Sequence, residues 1–298
     1  MITLNAQELA AFIKGEIIGD PGREIGQPAY LHTAGKHDLA YCFLKNDDKD
    51  LEAIRKSRAG ILLCSLGLKA KLAGIQTSST IILSKTPKYD FARILQKFFV
   101  SETPSVSPFA HIASNVTLGT GVDIHPNVTV YDNVQIGNNV IVRANAVLGA
   151  EGLDYGVNDE GELERVPHLS RLRIGDNVDI GSNTTIQKGI LRPTVIGSGS
   201  KIGPNCNIGH EVVIGRNCIV TGMTIVAGAT EIGDNTFIAP HSTIKNSIRI
   251  GKNVFVGIGS LVMNNVPDNS TIVGRPAVDL EVFRATRKRL KELLGESQ

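Results

Sequence analysis

Aliphatic residues recur at every sixth position over most of this chain, and that spacing leaves few folds open. Ile112, Leu118, Ile124, Val130, Ile136, Val142 and Leu148 stand in one register. The register breaks over residues 149–173 and resumes at Ile174, Ile180 and Ile186. After a slip of four residues it runs from Ile196 through Ile202, Ile208, Ile214, Val220, Val226, Ile232, Ile238, Ile244, Ile250 and Val256 to Val262. A period of six is neither the 3.6 of a helix nor the alternation of a two-sided strand, so each hexad supplies one inward residue to a short flat face of a coiled chain. A second small or aliphatic position lies four residues after each, as at Val122, Val128, Cys206, Cys218 and Thr224, and is expected to point inward as well. Runs such as Gly137-Asn138-Asn139 and Gly233-Asp234-Asn235 fall between faces, where tight corners call for residues that tolerate positive φ. They explain why glycine fills 31 of 298 positions, above its usual share of about 7%.

The first hundred residues lack the period. Asn5 with Glu8 reads as a helix cap ahead of Leu9, Phe12 and Ile13, and Gly19-Asp20-Pro21-Gly22 as its end. The runs Ala59–Cys64 and Thr80–Leu83 read as buried strands, and Leu51–Ser57 and Tyr89–Phe99 as helices. The fold class expected is therefore mainly β. An α/β domain at 1–104 is followed by a parallel β-helix at 105–278 with an insertion loop at 149–173, then by a C-terminal helix at 279–298 that carries Arg284, Arg287, Lys288, Arg289 and Lys291.

Composition narrows the function. The net charge of +2 gives no electrostatic case for nucleic acid, and no apolar run approaches the roughly 18 residues of a membrane span. The N-terminus lacks the basic start of a signal peptide, so the expected location is cytoplasmic. Cys42, Cys64, Cys206 and Cys218 form no CxxC pair and read as reduced packing residues. No phosphate-binding glycine motif occurs. A rigid rod of this kind needs no function beyond its shape, but it has no use for a long interruption at 149–173, and loops that leave a rigid scaffold often carry function.

Several segments are specific. Phe43-Leu44-Lys45-Asn46, Gly149-Ala150-Glu151-Gly152-Leu153-Asp154-Tyr155, Ile180-Gly181-Ser182-Asn183-Thr184-Thr185-Ile186 and Gly209-His210-Glu211-Val212-Val213-Ile214-Gly215 occur in this order. Together they resemble the UDP-3-O-acylglucosamine N-acyltransferases of lipid A biosynthesis, within the hexapeptide-repeat acyltransferases. The resemblance implies a left-handed β-helix, a homotrimer, and acyl transfer from a pantetheine thioester to the amine of a nucleotide-linked amino sugar. Acyl carrier protein or acyl-CoA would be co-substrate, with no permanently bound cofactor, and carrier protein would be a partner suited to the basic C-terminal helix. The departures lie near substrate positions. The family's Asp-Arg is Gln187-Lys188, its His-Asn is His210-Glu211, its second histidine is Ser247, and its uracil-stacking tyrosine is Lys49. Pro267–Ala277 also resembles the closing segment of acetyl-CoA-dependent hexapeptide acetyltransferases.

Acyl transfer to an amine needs a base, a donor for the tetrahedral oxyanion and a site that holds both substrates. His210 is the candidate base, since an unperturbed imidazole is largely neutral at pH 7. By resemblance, Gly228 supplies the oxyanion N–H, one coil along from His210. Phe43 is a candidate for stacking on a pyrimidine and Asn46 for bonding its edge. Against that, both have ordinary readings, Phe43 as core and Asn46 as turn. Tyr155 and His168, in the insertion, are candidates for contact with the acceptor, His241 for lining a donor groove, and Arg275 for meeting a coenzyme phosphate. Three readings stay open: lipid A type N-acyltransferase, acetyl-CoA-dependent N-acetyltransferase of a nucleotide-linked deoxyamino sugar for surface polysaccharide, and a non-catalytic sugar-nucleotide-binding or scaffold module. A zinc hydratase of this architecture is disfavoured, because His210 and His241 are not spaced by whole coils and no third ligand is evident.

Overall fold

The computed structural model describes residues 3–42, 47–72, 74–100, 103–274 and 280–294. The chain divides into two compact units, Met1–Thr103 and Pro104–Gln298.

The first unit is built on a five-stranded sheet in the order Glu16–Ile18, Thr80–Ser84, Ile61–Ser65, Asp38–Cys42, Gln27–Pro28, parallel except for the antiparallel edge strand Glu16–Ile18. Its central strands are apolar on both faces because both are covered. Ile61, Leu63 and Ile82 pack with Leu9, Ile13 and Ile94 on one side, and Leu62, Ile81 and Leu83 with Ile54, Leu68 and Leu72 on the other. Helix α1 (Ala6–Ile13) opens with the cap read from sequence: Glu8 N–H donates to Asn5 Oδ1 and Asn5 N–H to Glu8 Oε2, each at 2.9 Å. Helix α2 spans Asp47–Lys56. The strands at 16–18, 24–25, 27–28 and 38–42 carry no strong period and are additions to the sequence reading.

The second unit coils through three parallel sheets of eight, eight and seven short strands. We term these the first face (Asp123–Ile124 to Thr271–Ile272), the second face (His111–Ile112 to Leu261–Val262) and the third face (Thr117–Leu118 to Arg249–Ile250). Equivalent residues stack one coil apart, as Ile208, Val226 and Ile244 do on the second face. The hexad aliphatics form one continuous core, and the second inward positions Thr184, Ser200, Thr224, Thr230 and Ser242 are fully buried with their hydroxyls bonded inside. The interruptions show in the pairing: Leu148 pairs with Ile186 across the insertion, and Ile186 with Ile208 across the slip.

The corners divide their labour differently from the sequence expectation. Positive φ falls on the residue three after the inward aliphatic, at Asn139 (53°) and Asn235 (59°), and also at Glu211, His241 and Ser247 (each 59°). Glycines that open the regular corners, such as Gly137, Gly209, Gly215 and Gly233, have no such φ. They are there because coils stack closely: a Cβ on Gly209 would stand 2.7 Å from the Gly228 nitrogen, and one on Gly215 2.7 Å from the Asp234 nitrogen.

The insertion leaves after the strand Val147–Ala150 and returns at Leu172, so it is slightly shorter than the break in the register. Its tip is an exposed antiparallel hairpin, Tyr155–Val157 against Leu163–Arg165. A further helix spans Leu280–Leu294. Among the described residues no helix is long and apolar enough to cross a membrane.

Candidate active site

The corner between the second and third faces carries the unusual chemistry. Two residues past the inward aliphatics Val130, Leu148, Ile186, Ile208, Val226 and Ile244 of the second face stand Asp132, Ala150, Lys188, His210, Gly228 and Asn246, one per successive coil. The insertion leaves from this same corner. The repeat thus brings four polar side chains and a long loop to one edge of the prism.

His210 is fixed through its backbone. Its N–H donates to Gln187 Oε1 at 3.0 Å, and its carbonyl accepts from Ala229 N at 2.8 Å. The imidazole rests on Gly228, where a Cβ would stand 2.5 Å from Nε2 and 2.7 Å from Cε1. Glycine is required there to admit the ring. His210 Nδ1 is buried and has no hydrogen-bond partner among the described residues. The Gly228 N–H likewise donates to no protein acceptor among them.

His168 meets this ring edge to face, with centroids 5.4 Å apart and planes at 90°. It is only 2% exposed. Gly152 N–H donates to its Nε2 at 3.1 Å, and its Nδ1 lies 3.2 Å from the Val166 carbonyl.

Two further polar groups were visible in the sequence only as departures from the family pattern. Glu211 Oε1 accepts from Leu191 N at 2.9 Å and from Arg192 N at 2.8 Å, so its carboxylate holds the four-residue slip in place. Burial alone would raise this carboxyl, but the N–H groups of Arg192 and Leu191, with the charges of Arg192 and His210, outweigh it and hold the carboxyl below its ordinary value. Lys188 is buried, and its Nζ bridges both oxygens of Asp132 at 3.1 and 3.2 Å. Its backbone N–H donates to Ala150 O, so it straddles the exit of the insertion. The signal for these partners is in the sequence, since Asp132, Lys188 and His210 share one offset from the hexad register.

The other candidates are dispersed. Tyr155 lies on the exposed hairpin, whose root is tied by the Arg165–Glu151 ion pair at 2.6 Å. His241 sits exposed at the corner between the first and second faces, a different edge from His210. Phe43, Asn46 and Arg275 lie outside the described residues. A cavity of about 600 Å³ beside His32, Lys56 and Arg58 belongs to the first unit, and one of about 470 Å³ beside Lys201, Pro204 and Ile219 in the second is not lined by His210. Among the described residues no group of three or more His, Cys, Asp or Glu side chains is placed to hold a metal ion.

The family description "Bacterial transferase hexapeptide (six repeats)" matches residues 124–150 and 193–228. The UDP-3-O-acylglucosamine N-acyltransferase of Herminiimonas arsenicoxydans is 26% identical across 98% of each chain. That of Aromatoleum aromaticum is 35% identical over 65% of this chain and 66% of the relative. This chain belongs to the hexapeptide-repeat transferases. Among solved structures, LpxA from Acinetobacter baumannii is similar to this transferase at a TM-score of 0.48 and 26% identity, over 63% of this chain and 76% of that one. In this hexapeptide transferase the repeat builds the scaffold, while the insertion and the slip, the two places where the repeat fails, flank the His210 corner.

Proposed function

We propose that this protein is an N-acyltransferase that moves an acyl group from a pantetheine thioester to the amine of a nucleotide-linked amino sugar. The observation that carries the reading is the stacking of His210 on Gly228. It sets an imidazole with an unclaimed ring nitrogen beside an uncommitted backbone N–H, at the corner where the insertion begins. The relatives named UDP-3-O-acylglucosamine N-acyltransferase supply the substrate class.

In this mechanism the amine attacks the thioester carbonyl as His210 takes the amine proton, and a C–N bond forms. The negative charge moves onto the carbonyl oxygen, where the Gly228 N–H donates to it. Collapse of the intermediate breaks the C–S bond, and the imidazolium returns the proton to the departing thiolate. A positioned base is typically worth about 10²–10⁴ in rate. The first unit, by the family resemblance, takes the nucleotide base through Phe43 and Asn46. The working protein is a cytoplasmic homotrimer that uses acyl carrier protein as donor, and its product enters lipid A. A second reading, an acetyl-CoA-dependent enzyme acting on a deoxyamino sugar for surface glycan, is favoured by the Pro267–Ala277 segment.

Mass spectrometry of products from a panel of nucleotide amino sugars, each offered 3-hydroxyacyl carrier protein or acetyl-CoA, separates the two. A hydroxyacylated UDP-glucosamine supports the first, and an acetylated deoxyamino sugar the second. No transfer from either donor overturns both.

A further inference from the structure

Sequence alone suggests His168 as a substrate ligand, but its surroundings give it another task. Because Gly152 N–H can only donate, Nε2 is the unprotonated nitrogen of His168, and the proton sits on Nδ1, which donates to the Val166 carbonyl. Both nitrogens are spent inside the protein, and at 2% exposure the ring offers no polar atom to a substrate. Gly152 lies at the exit of the insertion and Val166 near its return. One imidazole therefore closes the root of the whole loop.

The ring's other contact is the edge-to-face packing on His210. The exit also closes on Gln187: a Cβ on Gly152 would stand 2.5 Å from Gln187 Oε1, the atom that accepts the His210 N–H. The same root thus reaches His210 twice, through His168 on the ring and through Gln187 on the backbone. Gly228, on which the ring rests, leaves room for it and no more.

We propose that His168 is a positioning residue, a neutral clasp that ties both ends of the insertion and holds the His210 ring against Gly228. The kinetic part of this proposal rests on the acyl-transfer reading; the clasp itself does not.

The test pairs His168→Gln with His168→Ala. A glutamine carbonyl can accept from Gly152 N–H while its amide donates to Val166 O, whereas alanine does neither. In acyl transfer, His168→Ala is expected to lower kcat about 10–100-fold with KM for the nucleotide sugar changed less than about threefold, since small displacements of a reacting group are that costly. His168→Gln should recover kcat to within about threefold of wild type. A raised KM at unchanged kcat in both variants would make His168 a substrate ligand and overturn the proposal. The clasp is tested separately by trypsin cleavage after Arg165, followed by mass spectrometry of the intact full-length proteins. Cleavage should accelerate in His168→Ala and stay at the wild-type rate in His168→Gln. Equal rates in all three proteins would overturn the clasp, whatever the fate of the acyl-transfer reading.

Discussion

The His210 ring lies against Gly228 so closely that a single added methyl group would stand between 2.5 and 3.0 Å from three of its atoms. Gly228 does not carry a positive φ, so alanine fits the backbone and the conflict is confined to the ring. Gly228→Ala is therefore expected to displace the base while leaving the coil intact. Acyl transfer should fall about 100-fold, as for other misplaced reacting groups, with the circular dichroism spectrum unchanged. Wild-type turnover in this variant would show that the ring need not rest there.

Glu211 holds the slip at 190–193 as a carboxylate. Its carboxyl is kept below the ordinary value of 4.5, so ionised Glu211 contributes stability that is present above that value and is lost as pH falls through the lowered one. Glu211→Ala leaves the Leu191 and Arg192 amides without their acceptor and should cost about 1–3 kcal/mol at pH 7. Glu211→Gln keeps a carbonyl acceptor and should cost less. In urea titrations from pH 7 to pH 3, the advantage of wild type over Glu211→Gln should shrink below pH 4.5. An advantage that stays constant over that range would mean the carboxylate charge is not what holds the slip.

Much of this was legible beforehand. Each hexad aliphatic from Ile124 to Val262 is inward and buried, because a coil of fixed length forces one periodicity on the chain. The cap at Asn5 and the basic helix near the C-terminus were legible for the same reason, as short-range patterns with local causes. The corners were only half legible, since both Gly and Asn tolerate positive φ, and sequence alone does not say that glycine serves coil-to-coil contact instead. What the sequence hid were contacts across interruptions. The shared offset puts Asp132 and Lys188 on one edge, but that Lys188 spans the intervening coil to reach Asp132, and that Gly152 bonds His168, depends on how the insertion leaves and re-enters, which no period encodes. The separate edge of His241 was legible, since its spacing from His210 is not a whole number of coils and its offset from Ile238 puts it at the corner between the first and second faces.

Lys188 is buried while its partner Asp132 is half exposed, and this asymmetry orders the effects of substitution. Asp132→Asn leaves an ammonium buried without its counter-charge and should cost about 1–3 kcal/mol, below the roughly 3–5 of a fully buried pair because water reaches Asp132. Lys188→Met removes the buried charge and keeps the apolar stem, so it should cost less. Urea denaturation of the two single variants reads the order directly. If Lys188→Met proves the more damaging, the pair is held by the lysine's attraction and the buried-charge argument fails.

Acyl transfer in the proposed mechanism turns on His210 taking the proton of the acceptor amine. The most direct test of that step is the single-turnover rate of acyl transfer by His210→Ala beside wild type, with both proteins shown to be folded and to bind the nucleotide sugar equally. The rate is expected to fall about 10²–10⁴-fold, with most of the loss in the transfer step. A His210→Ala protein that transfers the acyl group at the wild-type rate would contradict it.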